Sequence, residues 1–305
     1  MTPQPRSKRD ESGESTSETT TLSEPAKRLP QGLYLAATPI GAADDLTIRA
    51  RDALMRADVI AAEDTRMAQK LMMIHGVPRA GRPIVPYHDH NGAEARPRLL
   101  ARVAEGGSVV CVSDAGTPMV ADPGWKLARD AIDQELPVIA LPGASALLTA
   151  LTVSGLPTDR FMFCGFLPPK QTARRTSLTE LAAVPGTLVF YESPRRLAAV
   201  LADMMEVLGP REAAVSRELT KKFEETRRGP LSELAAYYAE TGAPKGEVVI
   251  SVGPPQKQEI GEADLDDALI KALATMRVKD AAQAVSTALG LPRRDVYNRA
   301  LAIKE

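Results

Sequence analysis

Residues 108–124, SVVCVSDAGTPMVADPG, decide how the chain is read. The run Ser108–Val112 is uninterrupted by charge, the pattern of a strand buried on both faces. Asp114 stands at its tip, and Gly116 and Pro118 mark a tight, specialised turn. WKLARDAIDQE (125–135) then has helical spacing, and PVIAL (137–141) is again a strand. Strand, loop, helix and strand make one βαβ unit, whose strands lie parallel.

The same rhythm extends in both directions. Upstream come the strand LYLAAT (33–38), the helix DLTIRARDALMRAD (45–58) and the strand VIAAED (59–64), which ends in two acids. Leu46, Ala50, Ala53, Leu54 and Ala57 share one face of that helix. A helix TRMAQKLMMIHG stopped by Gly76, a strand IVPYH and a helix over 93–105 complete this half. Downstream, the helix ASALLTALTV leads to RFMFCGF, a helix over 172–183, TLVFYES, the helix PRRLAAVLADMMEVLG and AAVSREL. KKFEETRRG reads as an edge strand, LSELAAYYAE as a helix and GEVVISVG as the last strand. The expected class is α/β, with mostly parallel sheets in two α/β/α domains, 33–142 and 143–254, and a seam near Pro142–Ser145.

The ends differ in composition. Eight of the fourteen residues from Glu11 to Glu24 are Ser or Thr, so residues 1–32 are expected to form a disordered tail. No apolar core follows its basic start, so it does not read as a secretory signal. GPPQKQE (253–259) reads as a linker to a helical module over 259–305. The Gly290-Leu291-Pro292 turn there suggests a helix-turn-helix-like arrangement. Residues 277–305 carry six bases against three acids, a candidate polyanion-facing patch that includes Arg293 and Arg294.

Composition narrows the function. A hydrophobic content of 44% excludes a wholly disordered chain, and no apolar run reaches the length of a membrane span. Two cysteines, Cys111 and Cys164, both in apolar runs, read as inert core thiols of a reducing compartment. A net charge of −1 excludes a bulk positive field, so any nucleic-acid contact must come from local patches. No G-x-G, Gly-Lys-Ser/Thr or G-x-S-x-G occurs. His88-Asp89-His90 lacks a third ligand nearby, and no metal is expected. Instead ATPIGAADD (37–45), SDAGTPMVADPG (113–124) and LPGAS (141–145) follow three strands of one half. Loops rich in Gly and Pro and free of Lys suit a ligand held by main-chain groups, not by phosphate charge.

In order along Leu33–Glu305, AATPIG, AAEDTR, YHDHN, SDAGTP with DPG, LPGASALLTALTVSGLPTDRF, GFLP, FYESPRRL, RELTKKFEE with RRG, and KGEVV resemble the ribosomal RNA small-subunit methyltransferase I family, a branch of the tetrapyrrole methylase superfamily. The chain departs from that pattern at Ala42, where Asn is usual, and at Met67 and Arg195, where His is frequent. The resemblance implies a tetrapyrrole methylase fold with S-adenosylmethionine in an interdomain cleft, a homodimer and a cytoplasmic enzyme. It also implies 2′-O-methylation of a decoding-centre cytidine of 16S rRNA in the 30S subunit. Pro39, Ala115, Gly116, Thr117, Gly143 and Ser145 are the cofactor contacts it implies.

The chemistry needs a base for a weakly nucleophilic ribose hydroxyl. Glu63 and Asp64 are the candidates, with Arg66 to orient one of them or hold a phosphate; the alternative is that the two acids cap the next helix. Asp114 is a candidate acceptor for cofactor amino or hydroxyl groups, or a turn-former. Glu192 ends a second-domain strand and is expected to face the same cleft. Arg195, Arg196, Lys221 and Lys222, with Arg227 and Arg228, form a candidate phosphate-binding rim. Two rivals stand beside this reading: a tetrapyrrole C-methyltransferase on the same scaffold, and a noncatalytic RNA-binding protein.

Overall fold

The structure, a computed structural model, describes residues 28–88, 91–120, 124–255 and 262–304. Most of the expected tail, and most of the linker, lie outside the described residues. Residues 28–32 do not behave as tail. Leu29 is buried and its N–H donates to the Arg56 carbonyl at 3.5 Å, while the Gln31 side chain donates to the Val103 carbonyl at 2.8 Å. These two residues sit beside a strand they help to start, which a reading of apolar periodicity from Leu33 onward misses.

In chain order the elements of the first half are β1 (Gly32–Ala36), α1 (Ile48–Arg56), β2 (Val59–Ala62), α2 (Thr65–Ile74), β3 (Ile84–Pro86), α3 (Gly92–Ala104), β4 (Ser108–Val112), α4 (Trp125–Asp133), β5 (Val138–Leu141) and α5 (Ala146–Ser154). The sheet runs β3-β2-β4-β1-β5, and each of its pairings is parallel. β4 is buried at every residue, as its continuous apolar run requires. Ala50, Leu54, Ala68 and Met72 of α1 and α2 pack with Ile60 and Val110 in one cluster. Leu99, Leu100, Leu127 and Ala131 of α3 and α4 pack with Leu33, Val109 and Cys111 in another. Alternate residues of the same strands serve the two clusters, so the sheet is covered on both faces.

The second half continues with β6 (Phe161–Phe166), α6 (Gln171–Leu181), β7 (Thr187–Glu192), α7 (Leu197–Leu208), β8 (Glu212–Arg217), β9 (Glu225–Pro230), α8 (Leu231–Thr241) and β10 (Val248–Val252). Its sheet runs β6-β7-β10-β8-β9, which puts the KKFEETRRG strand at an edge as expected. This sheet is not mostly parallel. β6 and β7 are parallel, but β10 runs antiparallel to β7. The connection from β8 to β9, residues 218–224, is too short for a crossover, which takes a dozen residues or more. The chain therefore reverses there, and β10, delivered by α8, runs against β7. Leu188, Phe190, Leu201, Met204, Leu234 and Ile250 fill the core beneath α6, α7 and α8.

Compactness divides the chain into a unit up to Val153 that also holds Ser216–Glu225, and a unit of Ser154–Val215 with the chain from Thr226 onward. This division falls one helix later than the expected seam. The reversal at 218–224 gives part of the second half of the sequence to the first unit. Beyond β10, α9 (Glu262–Leu273), α10 (Val278–Leu289) and α11 (Arg293–Lys304) gather around Leu269, Ala282, Val285, Val296 and Ala300. Gly290 ends α10 in the left-handed conformation, at φ 64°, and so makes the sharp turn into α11. Arg299 holds Asp266 with two bonds of 2.6 Å, tying α11 to α9.

One buried charge organises the second unit. Asp203 on α7 accepts from Gln171 at 3.0 Å, Arg174 at 2.7 Å and Arg175 at 2.7 Å on α6. Burial pushes its carboxyl up, but the bonds from Arg175, Gln171 and Arg174 outweigh burial and hold it below the usual range. A depressed folded value stabilises above the unfolded carboxylate pKa and is lost as pH falls through the folded one. Asp203→Ala leaves the buried Arg174 without its carboxylate, while Arg175 keeps its two bonds to Glu206, and is expected to cost about 3–5 kcal/mol in urea unfolding at pH 7. The deficit relative to the parent should shrink as the pH is lowered below about 4.

Candidate active site

The parallel strands of the first sheet bring their carboxyl ends to one edge. From β2 the chain moves outward through α2 to β3; from β4 it moves the opposite way through α4 to β5. The adjacent pair β2 and β4 is thus where successive connections diverge, and a crevice opens at such a switch point. Glu63 and Asp64 leave β2 here, and Ser113 and Asp114 leave β4. The Asp64 N–H donates to Asp114 Oδ1 at 2.9 Å, so the two strand ends are joined across the switch point.

Asp64 caps α2. Its Oδ1 accepts from the Arg66 N–H at 2.8 Å, and its two oxygens accept from Arg66 Nε at 3.1 Å and Nη2 at 2.7 Å. The Arg66 side chain and main chain hold the Asp64 carboxyl down at about 2. Such a carboxylate stays ionised near neutrality, and Asp64 is both the cap of α2 and the partner of Arg66. Glu63 is half-buried at the same strand end. Arg66 itself is 88% exposed and presents its charge outward.

The three Gly- and Pro-rich loops form one interlocked surface. Thr38 and Gly116 exchange backbone hydrogen bonds at 2.9 and 3.0 Å. The Ala37 N–H donates to the Leu141 carbonyl at 3.2 Å, and Thr117 Oγ1 to the Ala144 carbonyl at 3.0 Å. Gly116 has φ 82°, and a Cβ on Gly143 would come within 2.9 Å of the Ala37 Cβ. Asp114, Ala115 and Gly143 are exposed on this surface, and Pro39, Thr117 and Ser145 are half-exposed. Pro39, Asp114, Ala115, Gly116, Thr117, Gly143 and Ser145 are thereby brought together on one edge of the first unit.

A partner of this surface escaped the sequence reading. The Ala42 N–H donates to Thr220 Oγ1 at 2.9 Å, and a Cβ on Gly41 would meet Lys221, Thr220 and Leu219. These residues are far apart in sequence, and no local pattern announces the contact. Thr220, a β-branched residue, stands at φ 63°, a strained conformation held by its N–H bond to Glu224 Oε2 at 2.7 Å.

Other expected site residues are placed differently. Glu192 shares the parity of Leu188 and Phe190 and lies on the helix-packed face of its sheet, with its side chain 1% exposed. It accepts from the Ser193 N–H at 2.7 Å and sits 3.2 Å from Arg196. Burial raises its carboxyl more than Ser193, Arg196 and Arg174 lower it. Glu192 is a buried acid of the second unit, and the expectation that it faces a ligand cleft is corrected: strand alternation turns it inward. Arg196 donates to the Leu167 and Pro168 carbonyls and so clamps a loop. Arg227 stacks on the Tyr237 ring at 3.7 Å, and Lys221 pairs with Glu218 at 2.8 Å. Arg195, Lys222, Arg293 and Arg294 are exposed. Cys111 is buried; Cys164 is half-buried, and burial pushes its thiol up to about 11. His88-Asp89-His90 lies partly outside the described residues. Among the described residues no three His, Cys, Asp or Glu side chains gather as metal ligands, and no helix is long and apolar enough to cross a membrane.

Residues 32–235 match the family of Tetrapyrrole (Corrin/Porphyrin) Methylases, and residues 259–304 match the RsmI C-terminal HTH domain. Two similar proteins, from Mesorhizobium japonicum and Erythrobacter litoralis, are both named ribosomal RNA small subunit methyltransferase I. Each is 48% identical over 92% of this chain, covering 95% and 98% of the relatives. A solved structure of uroporphyrin-III C-methyl transferase from Thermus thermophilus, complexed with S-adenyl homocysteine, shares the fold with a TM-score of 0.51. It is 23% identical and covers 72% of this chain and 96% of its own. The chain belongs to the ribosomal RNA small subunit methyltransferase I family of methyltransferases, within the tetrapyrrole methylases.

The two acids of β2 should separate kinetically. Glu63→Gln is expected to lower single-turnover methylation about 100-fold or more while cofactor affinity holds. Asp64→Asn keeps a capping side chain and should lower it less than about tenfold. Because Asp64 titrates at about 2, its pH–rate profile between pH 5 and 9 should keep the parent's shape.

Proposed function

We propose that this chain transfers a methyl group from S-adenosylmethionine to the ribose 2′-oxygen of a decoding-centre cytidine, cytidine 1402, in 16S rRNA of the 30S subunit. It acts in the cytoplasm as a homodimer. The observation that carries this reading is similarity along nearly the whole chain to proteins named for small-subunit rRNA methylation, terminal helical domain included. A tetrapyrrole methyltransferase, the competing reading, has no use for that module, and a noncatalytic RNA binder has no use for the loop surface.

The residues of the first unit fit the cofactor by their donor chemistry. Residues 113–120 and 141–145 contain no Lys or Arg, so with Ser113 buried the surface offers main-chain groups, the hydroxyls of Thr117 and Ser145 and the acid Asp114. S-adenosylmethionine has amino, carboxylate, ribose and adenine groups to satisfy and no phosphate. Asp114 accepts from its amino or hydroxyl groups, Thr117 and Ser145 offer hydroxyls, and Pro39, Ala115, Gly116 and Gly143 lend backbone atoms at close approach. When bound, the cofactor supplies a methyl on a positive sulfur, which leaves as a neutral thioether. Glu63 takes the proton of the ribose hydroxyl and thereby raises its nucleophilicity. Asp64 fixes Arg66, whose exposed guanidinium takes an RNA phosphate in this reading. Arg195, Lys222, Arg293 and Arg294 contribute further phosphate contacts.

Incubation with labelled cofactor and either 30S subunits or a precorrin tests the reading. Label is expected in one 16S nucleoside at its ribose; label in the macrocycle alone would reject it. Removal of residues 259–305 is expected to weaken 30S binding about tenfold or more and to leave cofactor affinity unchanged in calorimetry. Equal activity of the shortened chain on 30S would remove the docking role from α10 and α11.

A further inference from the structure

Aromatic residues are scarce in this chain, 4% in all, yet two in the first unit are turned to solvent. Trp125 is 58% exposed and Phe223 is 64% exposed. Each has the lysine next to it in sequence over its ring: Lys126 lies 5.9 Å from the Trp125 centroid, and Lys222 5.6 Å from that of Phe223. What sets these two rings apart from the other exposed apolar side chains is the lysine over each of them.

Both rings stand at the carboxyl edge of the first sheet. Trp125 is the first residue of α4, and a helix that follows a parallel strand starts at that strand's carboxyl end. Phe223 lies in the 218–224 connection, whose Leu219, Thr220 and Lys221 rest on Gly41 and Ala42 of the β1 loop. Non-glycine residues in the left-handed region precede both rings: Met119 at φ 71° before Trp125, and Glu218 at 48° and Thr220 at 63° before Phe223. Strained backbone of this kind persists where the surroundings impose it, and it concentrates at binding sites. The Thr220 conformation is imposed by Glu224 from one side and by Ala42 from the other.

We infer that Trp125–Lys126 and Phe223–Lys222 are base-stacking platforms for single-stranded RNA running along the edge that holds Glu63 and Asp114. Each ring takes the face of an unstacked base and each lysine the phosphate beside it. A flat ring accepts any base, and a lysine one residue away reaches the backbone, which is how single strands are held without sequence readout. The methylated nucleotide must be free of its helix to present its sugar, so its neighbours need faces to replace lost stacking. This inference rests on RNA as the substrate and assigns residues that hold the strand.

Trp125 is the sole tryptophan, so its emission reports directly. The full-length chain, saturated with S-adenosylhomocysteine, is titrated with a short single-stranded oligoribonucleotide copied from the 16S target region, and with the duplex of the same sequence. The single strand should quench Trp125 and the duplex should not. Trp125→Ala and Phe223→Ala should each weaken single-strand binding about tenfold, with cofactor affinity and mass in solution unchanged, and Trp125→Phe should restore most of the loss. Absence of single-strand binding, binding with emission unmoved, parent-like affinity in both alanine variants, or a changed mass showing that the rings join copies of the chain would each overturn the platforms. Methylation of 30S is assayed in parallel. Label in 16S rRNA with no quench removes the platforms and leaves the function standing; label in no rRNA removes the function, whatever the emission does.

Discussion

The site edge depends on main-chain hydrogen bonds that the loops make to one another. Loops normally satisfy their polar groups with water, and a surface built to take a ligand gives that up. Here the exchange between Thr38 and Gly116, the Ala37 bond to Leu141 and the Thr117 bond to Ala144 close the loops on themselves. Thr38 adds a side-chain bond to the Ser113 carbonyl at 3.2 Å, and Ser113 one to the Gly116 carbonyl at 3.2 Å. The surface is therefore set before any ligand arrives, and Asp114 projects from a fixed base. Glycine at 116 and 143 is what lets these chains approach so closely.

Much of this was legible in the sequence. The alternation of strands and helices, the edge position of KKFEETRRG and the three special loops all follow from period and turn chemistry, because those are local properties. What failed is non-local. β10 runs antiparallel because a short connection reversed the chain two elements earlier, and no feature of GEVVISVG reports that. Glu192 looks like a strand-end acid in FYESPRRL, yet it shares the parity of Phe190 and its side chain is buried against Ser193 and Arg196. Thr220 and Gly41 meet through the fold alone. Asp64 and Arg66 are the instructive middle case: the sequence offered base or cap, and the structure shows Asp64 capping α2 and holding Arg66 by two bonds.

Arginine is used in two ways. Arg174, Arg196, Arg211 and Arg82 spend their guanidinium groups on carbonyls and carboxylates inside the units. Five donors in a planar fork make arginine suited to binding loop carbonyls where a water would otherwise be needed. Arg66, Arg195, Arg293 and Arg294 point outward. A net charge of −1 thus hides a division of labour. The outward-pointing bases are local features of the surface and leave no overall positive field.

The entry of the chain into β1 has a practical consequence. Gly32 is held to the Gly107 carbonyl at 3.2 Å, at the start of both β1 and β4. Because the sheet is parallel, that start is the edge opposite Glu63 and Asp114, a strand length of roughly 17 Å away. An affinity tag, fluorescent protein or surface tether joined ahead of Arg28 would therefore leave from the rear of the first sheet, away from the edge that carries Glu63 and Asp114.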